Sequence, residues 1–298
     1  MKTREKYLSI FYISFLAVIT ILISCLANFD LVKMDPLTTG VDFLESMPHV
    51  TIGSLIWQQP SSSIFIFGLG VFIIIFGIKL LKIQKGNLSR KWWGISMIFW
   101  GVSAIFAGIS YQAFGYQLKC LGNTYANFTD WFEIMYLLFT GSSICMLVFG
   151  MSYCAAIGKT RKIMQMIALI SLPIYAVLLT VGSIAGIQFL VSYEMLCIFF
   201  MWHFIVFFVI NIRNYRSEIN KEMNKKFIIT WSLFLILNIL YYIYYLSGLS
   251  PVLYQNTGVW FNQNDLLHVL MIGWFVYMYI SLPKCIVDRN EVQVKKNK

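Results

Sequence analysis

The sequence predicts an all-α, polytopic helical membrane protein with eight transmembrane helices, one N-terminal helix followed by a seven-helix core. Three observations carry this. The 298 residues are 59% hydrophobic and only 12% charged, and mean hydropathy is +0.72. A soluble domain lies near 45–50% apolar and about 25% charged. Eight apolar runs are each near the length of about 20 residues that spans the hydrocarbon core. They fall roughly at 7–28, 62–81, 92–115, 131–157, 163–185, 187–210, 227–247 and 261–282. Helices are required because a backbone in hydrocarbon must satisfy its own polar groups, and the short alternating segments of a β-barrel are missing. Third, with the N-terminus in the cytoplasm and eight crossings, 21 of the 23 Lys and Arg residues fall on the cytoplasmic side. This is the positive-inside bias, and it places both termini in the cytoplasm. The net charge of +10 is therefore a topology signal facing anionic headgroups, with a membrane lipid and no nucleic acid as the expected partner.

The first element, residues 1–28, reads as a transmembrane helix. "LISC" at 22–25 also fits a lipobox, in which case residues 1–24 are a signal removed before Cys25. Both readings leave spans two to eight in the same orientation. Residues 29–61 form a long outer loop, 62–282 the seven-helix core, and 283–298 a basic cytoplasmic tail. Eight of the 13 acids (Asp30, Asp35, Asp42, Glu45, Asp130, Glu133, Glu194 and Asp265) fall on the outer side or in the outer part of a span. Only Cys120 of the six cysteines lies in an outer loop, so no disulfide is expected.

In span three, Gly94, Gly101, Gly108 and Gly115 recur every seven residues, with Ala104 on the same face. Seven residues is nearly two helical turns, and small residues allow close helix approach in lipid. Span three is therefore expected to be the most centrally packed helix, with bulk at Gly108 costing more than bulk at Gly70. At about 100° per residue, Tyr111 and Gln112 flank the stripe near the outer surface, while Ser110 points the other way.

Span four opens on Asp130 and Glu133, spaced as a helix N-cap and its reciprocal acid. Glu194, about two turns into span six, is expected to face protein or water, because an acid at that depth is costly in lipid. His203 and Asn238 read as hydrogen-bonded packing residues. The tyrosines of 241–246 read as interface anchors. Span eight opens "WFNQNDLLH" (260–268), where Asn264, Asp265 and His268 can share a face. Gln112, Asp130, Glu133, Glu194, Asn264, Asp265 and His268 thus fall in one outer layer. A histidine one turn inside a membrane helix needs a partner, so His268 is expected near Asp130 or Glu133 in a cavity open to the outer side.

Seven spans with polar residues at these outer ends, "YQA" (111–113), Asp130 and "NDLLH" (264–268) resemble the CREST superfamily, the alkaline ceramidase branch in orientation. The resemblance covers about residues 55–282 and implies a zinc hydrolase acting on a lipid amide or ester. It puts Gln112 and Asn264 at two histidine positions, His268 at the third, Asp130 at the acid, and Gly108 at the usual serine. Amides bind zinc poorly beside His, Cys and carboxylate, so of the implied metal ligands only His268 and Asp130 remain.

Two functions follow. In one, His268 with Asp130 or Glu133 activates water for hydrolysis, with or without zinc, while Tyr111, Gln112, Asn264 and Glu194 hold the substrate. In the other, a non-catalytic lipid-binding receptor, carrier or scaffold uses the same amides for recognition.

Overall fold

The computed structural model describes residues 2–289, with side chains from Tyr7 onward. Residues 290–298 of the predicted basic tail, including Lys295, Lys296 and Lys298, lie outside the described residues, as do the side chains of Lys2, Arg4 and Lys6. The protein is an all-α polytopic membrane protein. Seven helices are long and apolar enough to cross a membrane: α1 (Lys2–Leu26, apolar from Tyr7), α3 (Pro60–Lys82), α4 (Leu88–Ala107, continued to Ala113), α6 (Trp131–Ala155), α7 (Gly158–Ala185), α8 (Tyr193–Arg216) and α9 (Lys221–Ser247). The eighth run forms α11 (Gln263–Ser281), 19 residues long, whose polar first turn dilutes its hydropathy. Short elements complete the chain: α2 (Gly40–Glu45), the antiparallel hairpin β1 (His49–Ile52) and β2 (Leu55–Gln58), α5 (Gly115–Lys119) and α10 (Leu249–Thr257). The loop at 29–61 is therefore built, with the hairpin closed by a two-residue turn in which Gly53 takes φ +61°.

Six helices close a ring in the order α3, α4, α6, α8, α9, α11 and back to α3. Helix α7 packs behind α6, where Gly141 makes room for Tyr175 and Phe200. Helix α1 lies against α7 and packs Tyr12 edge-on against Trp92 and Phe149, which stack on each other at 4.9 Å. The ring differs between its two ends. Toward the basic loops it is filled by aromatic side chains, with Trp93 stacked on Phe227 at 5.4 Å and Trp231 beside both. Trp274 packs on Phe234 at 4.9 Å. Toward the other end it holds a cavity.

The glycine stripe of α4 seats on α3, where Gly70 and Gly77 oppose it. A Cβ at Gly101 would stand 2.5 Å from the Gly70 carbonyl oxygen, and one at Gly77 would stand 2.6 Å from that of Gly94. Two expectations are corrected here. Gly70 belongs to this interface and opposes backbone, whereas Gly108 faces the side chains of Ile66 and Phe67. Bulk at Gly70 is thus no milder than bulk at Gly108. The most buried span is α6, with 89% of its apolar stretch covered against 61% for α4. The reason is position: α6 contacts α4, α7 and α8, and its Ser143 exchanges hydrogen bonds with Ser96 of α4 at 2.8 and 2.9 Å.

Candidate functional site

Helix α4 changes pitch before it ends. Residues Gly108–Ala113 form a π-helical turn, closed by the Phe114 amide donating to the Ile109 carbonyl. Wide turns of this kind often mark functional positions. Here three successive side chains are put to use. Ser110 and the Tyr111 hydroxyl turn to α6, and Gln112 faces the cavity. The α-helical count of 100° per residue does not describe this turn, and Ser110, expected to point away, is buried and bonded.

The first group of side chains is an ion cluster. Asp130 caps α6, accepting from the Phe132 and Glu133 amides at 2.8 and 3.2 Å and from Ser110 Oγ at 2.5 Å. Glu133 does not reach back to the cap. Its Oε2 takes Lys119 Nζ at 2.5 Å and its Oε1 takes the Tyr111 hydroxyl. Lys119 also donates to the Phe128 carbonyl at 3.1 Å and lies 3.9 Å from Asp130. All three charged groups are buried. Burial alone would lower the Lys119 ammonium pKa, but Glu133 and Asp130 outweigh it and hold it above its ordinary value.

The second group lines a cavity of about 280 Å³ inside the ring. Its polar members include Tyr111, Gln112, Asn238, Asn264 and His268, with Ser103 and Thr140 deeper, set among Ala107, Leu237, Leu267 and Met271, with Tyr136, Tyr193 and Tyr241 also in the lining. Gln112 is 3% exposed and His268 7%. Gln112 Oε1 and His268 Nδ1 are buried with no hydrogen-bond partner.

A belt closes this group toward the loops. Asn262 caps α11 with the reciprocal box that Asp265 completes, its backbone amide donating to Asp265 Oδ2 at 2.8 Å. Asn262 Nδ2 donates to Gln59 Oε1 at 2.9 Å, as does Trp260 Nε1 at 3.3 Å. Gln59 holds φ +39° immediately before Pro60, where the left-handed region is costly. Its two donors from the α11 entry, the Trp260 indole and the Asn262 amide, hold it there. Asp265 turns to Ser62 of α3, although its Oδ1 makes no hydrogen bond of normal geometry. It does not share the cavity face with His268.

The expected layer therefore separates. Tyr111, Gln112, Asn264 and His268 come together at the cavity. Asp130 and Glu133 stand apart from it, and among the described residues no hydrogen bond or ion pair joins either to His268. Tyr111 touches both groups. Glu194 is corrected outright. Ser192 caps α8, so Glu194 sits in the first helical turn, exposed, and not two turns deep. A 3₁₀ turn at Gln188–Val191 occupies the stretch read as helix. A family-type zinc ion does not fit these residues. The cavity offers one imidazole among amides, and among the described residues no three of His, Cys, Asp and Glu converge.

Sequence reasoning passed over Lys119, Ser110, Gln59 and the cavity role of Asn238. Lys119 carried a signal, being one of only two basic residues on the acidic side. Asn238 donates to the Phe234 carbonyl at 2.7 Å, the packing bond expected of it, yet also lines the cavity. Comparison with protein-family models, with curated proteins and with solved structures finds no match.

Proposed function

We propose that the protein binds a membrane amphiphile in its cavity, recognising a hydroxyl or secondary amide group through Gln112, Asn264 and His268, without hydrolysing it. The observation that carries this reading is the pair of buried, unpartnered atoms Gln112 Oε1 and His268 Nδ1 in one largely apolar cavity. A buried polar group left unpaired costs about 1–3 kcal/mol, and a ligand that both donates and accepts relieves two such costs at once. The carboxylates that would activate water are bound instead to Lys119, Ser110 and Tyr111. The chain crosses the membrane eight times with both ends in the cytoplasm, as the basic residues argue, which puts the cavity in the outer leaflet. A cysteine introduced at Asn256 is then labelled from outside by an impermeant maleimide.

A second reading, hydrolysis of the bound amide or ester, draws on the resemblance to alkaline ceramidases and on the free Nδ1 of His268. One experiment separates them. Purified protein in lipid nanodiscs is incubated with a long-chain N-alkyl amide, and the bound fraction is analysed by mass. Retention of the intact amide, reduced in His268→Phe, supports binding. Release of the carboxylic acid and the alkylamine by the wild type but not by His268→Phe overturns it in favour of the hydrolase.

A further inference from the structure

The cavity wall is not uniform. Toward the loops it is shut by the Gln59–Asn262 belt and the Lys119 cluster, all buried. Between α6 and α8 the outside is covered by α7, whose Tyr175 packs on Phe199 and Phe200. Between α8 and α9, two tyrosines both line the cavity and reach the outer surface. Tyr193 lines the cavity, yet it is 38% exposed, with its hydroxyl close to Cys197 one turn along α8. Tyr241 of α9 lines the cavity opposite it and is half-buried. The residues flanking this seam, Ile198, Tyr242 and Tyr245, are exposed and mostly apolar, as a surface against lipid chains would be.

Size and charge restrict what can pass. A volume of about 280 Å³ falls just below the range of sites that enclose a drug-sized ligand. A long-chain amphiphile cannot fit whole. Among the described residues, no Lys or Arg lines the cavity. The two cations at this end are committed, Lys119 to Glu133 and Lys33 to Asn127 at 2.5 Å and Asn123 at 3.4 Å. Glu194 stands at the rim, close enough to act electrostatically on the Tyr136 and Tyr241 hydroxyls. An anionic head would meet a carboxylate and find no counter-charge.

We infer that the ligand is a single-chain amphiphile with an uncharged or amine head, entering sideways from the bilayer between Tyr193 and Tyr241. The head lies beside Gln112, Asn264 and His268, and the chain remains in the seam between α8 and α9. This rests on the binding reading above and adds the route and the head class. The test uses the full chain in phosphatidylcholine vesicles and two photoreactive long-chain secondary amides, one with a diazirine beside the amide, the other with it mid-chain. The head probe should label α4 and α11, and the chain probe should label α8 and α9 around Ile198 and Tyr242. Head labelling absent from α4 and α11 overturns the binding reading itself. Head labelling present, but with the chain probe on the hairpin or α10, overturns only the sideways route. An alkyl phosphate that competes with the head probe as well as an N-alkyl amide does overturns the head class.

Discussion

Two groups of buried polar side chains sit a few residues apart at the same end of the bundle, and they are built on opposite terms. In the Lys119–Asp130–Glu133 cluster each charge has an opposite charge and a neutral partner, so the group is closed on itself. In the cavity, Gln112 and His268 each keep an atom that nothing in the chain satisfies. A closed cluster holds α5 and the π turn of α4 against α6. An open one is a structural cost unless something occupies it. Tyr111, whose hydroxyl belongs to the first group and whose ring lines the second, is the single residue shared by both.

The comparison breaks most readily at Lys119. Lys119→Met leaves two carboxylates buried without their cation, and removing one partner of a buried pair costs about 3–5 kcal/mol. A lower Tm in detergent should be partly restored by adding Glu133→Leu, which removes one of the stranded charges. Failure of the second change to restore any stability would mean the cluster is not coupled as described.

Packing supplies an intermediate scale. Gly70→Ala and Gly101→Ala each push a methyl into a facing carbonyl and should cost about 1–3 kcal/mol. Gly273→Ala on α11, with nothing within 4 Å of its Cβ, should be neutral or stabilising. Equal thermal shifts for all three would remove the argument that α3 and α4 meet backbone to backbone.

Part of the alkaline limb of stability should belong to the cluster. The folded pKa of Lys119 is raised, so its contribution is whole below the unfolded value of about 10.4 and is lost as pH rises through the folded one. Tm should fall above about pH 10 in the wild type and fall less in Lys119→Met. A parallel decline in both would assign the alkaline loss to other groups.

The smallest effect on stability is expected at the cavity. His268→Phe and Gln112→Leu remove unpaired polar atoms and should leave stability within about 1 kcal/mol of wild type. A loss on the scale of Lys119→Met would mean that these side chains are structural after all.

Much of the fold was legible because membrane spans are written as apolar length and flanking charge, and every predicted run overlaps one long helix, seven of them apolar enough to cross a membrane. The glycine spacing correctly marked a close helix contact. Its partners Gly70 and Gly77 were not recognised, since a stripe shows only one side of an interface. The layer of polar residues was legible by height but not by direction. Height follows from distance along a helix, whereas direction depends on where the helix begins and whether its pitch holds. Glu194 failed on the first count, because α8 starts at Tyr193. Ser110 failed on the second, because the chain takes a π turn at Gly108. The Lys119 pairing needed a contact between α5 and the start of α6 that no local pattern encodes.

The central claim is that the unpaired cavity groups await a ligand while the paired cluster only holds the fold. The most direct measurement is the thermal shift that a long-chain N-alkyl amide produces in the wild type and in the double variant Gln112→Leu/His268→Phe. A ligand bound only by the folded protein raises its stability by mass action. The account predicts a saturable rise in Tm for the wild type, and a double variant that is equally stable alone but shows no rise. An equal rise in both proteins would contradict it.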